Sequence, residues 1–95
     1  MNIKENIKKK IHSNLFPEFI KVIDFSSQHK NHHENKNSGA VSHLSLIIVS
    51  KYFENLNRIE RERKVHQILD EEIKQHLHSL RLKLYTKKEY SLIRR

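Results

Sequence analysis

The sequence predicts an α+β domain, an α/β sandwich in which helices pack on a three-stranded mixed sheet in the order α-β-β-α-(α)-β-α. Three observations carry this. Two segments hold apolar residues at helical spacing, three short segments read as strands, and the one Pro and one Gly both fall in connections. A layer of helices on one sheet face would bury an alternating strand against the helix stripes.

Ile3, Ile7, Ile11 and Leu15 recur every four residues and predict a helix over residues 3–14. Pro17 lacks an N–H and disfavours helical geometry at Phe16, which ends it. Residues 19–25 are rich in β-branched and aromatic side chains and predict a strand. A polar connection of about seventeen residues, 26–42, follows and contains Gly39; a connection this long is expected to be functional or mobile. Residues 43–50 (HLSLIIVS) alternate and then turn apolar, as in a strand covered on at least one side. Residues 56–76 keep helical spacing through Ile59, Val65, Ile68, Leu69, Glu72, Ile73 and Leu77, with a bend expected near 70–72. Leu80, Leu82 and Leu84 alternate with Arg81, Lys83 and Tyr85, a half-buried strand with the leucines inward. Thr86 and Glu89 have the spacing of a capping box, and a short helix with Tyr90, Leu92 and Ile93 should follow.

Ninety-five residues make one domain without linkers or repeats. Ile, Leu, Val and Phe number 29 of 95, well above the roughly 20% below which disorder becomes the expectation. There is no cysteine, so a disulfide framework is excluded and a reducing compartment is compatible. No apolar run approaches the roughly 18 residues of a membrane span, and the basic start lacks the hydrophobic region of a secretory signal; the cytoplasm is the expected location. The net charge of +8 points toward nucleic acid or an acidic protein only where the basic residues cluster. Along the chain they are mixed with Glu60, Glu62, Asp70, Glu71 and Glu72. Nucleophilic cysteine chemistry and a glycine-rich phosphate loop are excluded by composition, and no Ser-His-Asp grouping stands out. The domain is read as non-enzymatic.

With the elements placed, a family pattern emerges. Ile20-Lys21-Val22-Ile23-Asp24 leads into Ser26 and His29, and Ser42-His43-Leu44 opens a strand that ends in Val49-Ser50. Phe53 follows, then Arg61-x-Arg63 and Glu71-Glu72. Leu77-His78-Ser79-Leu80 runs on to Tyr85-Thr86-x-Lys88-Glu89-Tyr90. This series resembles the BolA family from about Asn6 to Tyr90, with the family spacing unbroken from Ser50 onward. It departs in three places. Asn55 stands where the family often has Gly, Glu62 interrupts the usual Arg-His-Arg, and the connection before His43 is long and histidine-rich.

The resemblance implies a class II KH-like order and an adaptor that pairs with a monothiol glutaredoxin carrying glutathione and shares a 2Fe–2S cluster with it. It implies His78 as one ligand, and His29, with His32 as alternative, as the loop ligand. Imidazole can replace thiolate on one iron of such a cluster, so a chain with histidines and no cysteine can supply part of the site. Alone, the chain is expected to hold no cluster and to be a monomer or weak homodimer. His33 reads as an exposed loop residue, His43 as a structural hydrogen-bonder, His66 and His76 as surface or half-buried helix residues and His12 as solvent-facing. The loop histidines could also take up Zn²⁺ or Ni²⁺ adventitiously.

The competing reading is a DNA-binding transcriptional regulator of the stress or morphology type. With a single glycine the chain cannot form the Gly-x-x-Gly clamp of KH modules. DNA would have to meet the helix face of Arg58, Arg61, Arg63 and Lys64.

Overall fold

A computed structural model describes residues 3–25 and 43–93. Helix α1 (Ile3–Leu15) leads to strand β1 (Phe19–Asp24), and strand β2 (His43–Val49) follows the long connection. A 3₁₀ turn (Lys51–Phe53), helices α2 (Arg58–Ile68) and α3 (Asp70–His76), strand β3 (Ser79–Tyr85) and helix α4 (Lys87–Ile93) complete the order. The sheet order is β1-β2-β3, with β1 antiparallel and β3 parallel to the central β2. The mixed three-stranded sheet and the helix order agree with the sequence-based expectation. The expected connection at 26–42 lies outside the described residues.

Strand alternation divides the sheet into two faces. Leu44, Leu46 and Ile48 of β2 are fully buried and pack with Ile7, Ile11 and Leu15 of α1 and with Phe53, Val65, Leu69 and Leu77. Ile20 and Val22 flank them on β1, and Leu80, Leu82 and Leu84 on β3, as the alternation predicts. The other face carries Phe19, Lys21 and Ile23 on β1, His43, Ser45, Ile47 and Val49 on β2, and Ser79, Arg81, Lys83 and Tyr85 on β3. Helix α4 crosses one end of this second face. The Tyr90 ring stacks on Phe19 and Tyr85 at 5.5 and 5.7 Å between centroids, and Val49, in register with both, is buried.

The connections have local causes. Helix α1 ends with Phe16 in the left-handed region (φ 45°), its N–H donated to the His12 carbonyl at 3.2 Å, immediately before Pro17. The buried Ser50 joins three elements: its Oγ donates to the Leu15 carbonyl and accepts from the Tyr52 N–H, while its own N–H donates to the Tyr85 carbonyl. Asn55, where the family often has Gly, takes φ 69°, a conformation Asn tolerates better than most residues. Asn57 caps α2 in a reciprocal box with Glu60.

The long helical segment breaks at Leu69, one residue before the expected bend, and Leu69 itself is fully buried. Glu72 keeps its inward position and is buried. It accepts from Asn6 Nδ2 at 3.0 Å and pairs with Lys10 at 2.6 Å, tying α3 to α1 and raising the Lys10 pKa. Ile59 corrects the expectation from spacing. Its residue type suggests a place in the apolar stripe, yet it is 61% exposed, because the inward row of α2 runs through Arg61, Val65 and Leu69, and Ile59 lies about 200° from Arg61 around the axis.

Candidate functional site

The two ends of β3 hold the residues singled out by sequence. At its start, Leu77 is buried at the end of α3, His78 is exposed, and Ser79 opens the strand opposite His43. The His78 and His43 rings meet edge to face, 6.1 Å between centroids at 73°. His43 in turn meets the Phe25 ring at 5.7 Å, and the Arg81 guanidinium carbon lies 4.6 Å from the Phe25 centroid. The Phe25 N–H donates to the His43 carbonyl at 3.1 Å. The connection 26–42 therefore departs and returns beside His78, in a corner built of two imidazoles, a phenyl ring and a guanidinium.

His29, His32 and His33 belong to that connection and lie outside the described residues. His12, His66 and His76 are exposed on the helices, His76 at the end of α3 two residues before His78. His43 is half-buried between Phe25 and His78, a contact that sequence spacing does not announce. Among the described residues, no group of three or more His, Cys, Asp or Glu side chains is arranged to hold a metal ion. The corner offers imidazole nitrogens and, in a chain without cysteine, no thiolate.

At the other end of β3 the arrangement is closed. The Arg61 side chain is only 12% exposed. Its Nε donates to the Leu56 carbonyl at 2.9 Å, and Nη1 donates to the Leu84 carbonyl at 3.1 Å and to Glu89 Oε1 at 2.7 Å. Nη2 reaches Glu89 Oε2 at 3.2 Å, which makes the pair bidentate. Glu89 also accepts from the Thr86 N–H, and Thr86 Oγ1 accepts from the Glu89 N–H, so the predicted capping box is present. Arg61, then Thr86, lower the Glu89 pKa below its ordinary value.

This corrects the basic face expected on α2. Arg61 points into the fold, so Arg58, Arg61, Arg63 and Lys64 do not form one surface. Arg58 is exposed and pairs with Glu62 at 3.3 Å, Arg63 is exposed, and the Lys64 ammonium lies 5.1 Å from the Tyr52 ring centroid. The signal that finds Arg61 is its spacing, four residues before Val65 and eight before Leu69.

Comparison with known proteins gives one consistent result. The family model described as BolA-like protein matches residues 11–89. The chain is 31% identical over 90 residues to a protein of Haemophilus influenzae named DNA-binding transcriptional regulator BolA, covering 95% of this chain and 82% of that one. A protein of the same name from Vibrio cholerae is 36% identical over 88 residues, covering 93% and 78%. Among solved structures, BolA1 from Arabidopsis thaliana superimposes with a TM-score of 0.81 at 31% identity, covering 90% of this chain and 92% of that one.

Proposed function

This chain belongs to the BolA-like protein family, and from that premise we propose that it is a non-enzymatic cytoplasmic adaptor for a monothiol glutaredoxin, with His78 as its ligand to a shared 2Fe–2S cluster. The observation that carries the reading is the exposed His78 ring at a braced junction, beside the point where the histidine-rich connection leaves and rejoins the sheet. The donor chemistry fits half of such a centre. The chain contributes imidazole, His78 and from the connection His29 or His32, and the partner with its glutathione contributes thiolate. When bound, the cluster supplies a one-electron centre and a transferable iron–sulfur unit.

The chain's own part is placement. Burial of Leu77 fixes the backbone before His78, β3 pairing fixes it after, and the His43 ring limits where the His78 ring turns. A partner presenting thiolates meets a pre-positioned imidazole on this side. The loop ligand must still be ordered, at roughly 1–2 kcal/mol for each residue fixed. The test is to mix the purified protein with a reconstituted monothiol glutaredoxin and record visible absorption and circular dichroism. A spectrum distinct from that of the glutaredoxin homodimer is expected; an unchanged spectrum with no complex overturns the reading.

A second reading, a DNA-binding transcriptional regulator, is favoured by the names of the Haemophilus and Vibrio relatives. On this reading the exposed Arg58 and Arg63 of α2, with the half-buried Lys64, would meet phosphates, without Arg61. Duplex affinity falling steeply with salt, and less steeply after loss of Arg58 and Arg63, is its expected signature.

A further inference from the structure

The carboxylates of strands β1–β3 and helices α1–α3 are sorted by face, although cations stand on both. The acidic residues of the helical layer (Glu5 on α1, Glu60 and Glu62 on α2, Asp70, Glu71 and Glu72 on α3) all lie on the far side of the sheet from Lys21, Arg81 and Lys83. Among the described residues, the strands contribute no carboxylate to the second sheet face: their residues there are Phe19, Lys21, Ile23, His43, Ser45, Ile47, Val49, Ser79, Arg81, Lys83 and Tyr85. Asp24 belongs to the opposite face by alternation with Ile23. Lys21, Ile47 and Lys83 stand in one cross-strand row, with Arg81 one step away on β3. Among the described residues no carboxylate pairs with any of these three cations, and all three are exposed.

The same face is apolar between its charges. Phe19 and Ile23 are 39% and 38% exposed, Ile47 and Tyr85 are half-buried, and the Arg81 guanidinium lies against Phe25. Cations without a carboxylate partner among the described residues, interleaved with flat apolar and aromatic surface, suit a polyanion that also offers planar rings. Shape narrows the choice. Three strands span about 10 Å between outer strand axes, before side chains are added, and the ridge of α4 closes one end. The roughly 12 Å major groove admits a helix or a two-stranded ribbon, not a sheet laid flat.

We propose that this open sheet face, through Lys21, Arg81 and Lys83, is a binding platform for single-stranded nucleic acid. Phosphates meet the two lysines on either side of Ile47, and an unpaired base stacks on the Arg81 guanidinium where Phe25 holds it from below. The inference deepens the nucleic-acid reading by moving the contact from α2 to the sheet and from duplex to single strand. It does not depend on the shared cluster.

The experiment is fluorescence anisotropy of labelled oligo-dT and oligo-U, and of a duplex of equal length, over a salt series with the full chain. The Lys21→Gln/Lys83→Gln variant and the helix-face variant Arg58→Gln/Arg63→Gln are measured beside the unaltered protein, each checked for native circular dichroism. The proposal expects single strands to bind more tightly than duplex. The slope of log affinity against log salt should flatten by about 1.4 in the sheet variant, because each phosphate left without its lysine lowers the slope by about 0.7. In the helix variant the slope should not change. Arg81→Lys, which keeps the charge and removes the planar stack, should weaken binding severalfold with the slope preserved. Duplex binding lost only in the helix variant would sustain the second reading and overturn this one. Absence of single-strand binding at low salt, or equal binding of poly-glutamate, would also overturn it.

Discussion

Strand β3 begins in an open corner and ends in a closed one. At its start, His78 is exposed and meets its neighbours through ring edges; at its end, Arg61 and Glu89 satisfy two carbonyls, each other and the first turn of α4. Both ends are marked by charged or titratable residues in the family pattern, yet they do opposite things. A polar group whose bonding capacity is consumed inside the fold holds elements together, and one left facing outward at a rigid junction is available to a partner. Arg61 is thus a residue of stability, and under the proposed function His78 is the residue of recognition.

Substitutions at the two ends should separate accordingly. Arg61→Ala has the largest expected effect on folding, a loss of about 2–4 kcal/mol in urea denaturation, because it removes the Arg61 donors from the Leu56 and Leu84 carbonyls and leaves the Glu89 carboxylate with only the Thr86 N–H. Thr86→Ala removes the hydroxyl cap of α4 and should cost about 1 kcal/mol by the same measurement. Arg63→Ala, two residues from Arg61 but on the outer face, should stay within about 0.5 kcal/mol of the unaltered protein. Equal losses for Arg61 and Arg63 would erase the distinction between closed and open positions.

The closed end also has a pH signature. Glu89 has a lowered pKa in the fold, so it binds a proton less readily there than in the unfolded chain. Its contribution to stability is complete above the ordinary carboxyl value of 4.5 and is lost as pH falls through the lower folded value. Denaturation of the unaltered protein and of Glu89→Gln should therefore differ at neutral pH and converge in acid. A difference that grows below pH 4.5 would contradict the sign of this linkage.

How far the sequence reaches is clear from the same residues. The α1 stripe, the leucine alternation of β3 and the Thr86–Glu89 box depend on spacings within a single element, and all three stand in the structure. Arg61 and Ile59 show where residue type misleads and phase does not: an apolar Ile59 suggests an inward position and a cation an outward one, whereas the Val65–Leu69 row shows the reverse. The position of His78 is legible from the motif around it. Its contact with His43 is not, because that depends on parallel pairing of His43 with Ser79, and register between strands separated by two helices is not written in local periodicity. The basic sheet face is hidden for the same reason, since Lys21, Arg81 and Lys83 converge only when β1 and β3 flank β2.

The most direct test of the assignment at the open corner is the visible circular dichroism of the cluster-loaded complex with glutaredoxin, compared between the unaltered protein, His78→Ala and His29→Ala. His78→Ala should fold with unchanged stability and abolish the mixed-ligand spectrum, because it removes the exposed imidazole at the braced junction. His29→Ala should weaken the spectrum while leaving binding of the cluster-free partner intact, since His32 and His33 are close in sequence. A His78→Ala complex that keeps the unaltered spectrum and cluster stability would contradict the account.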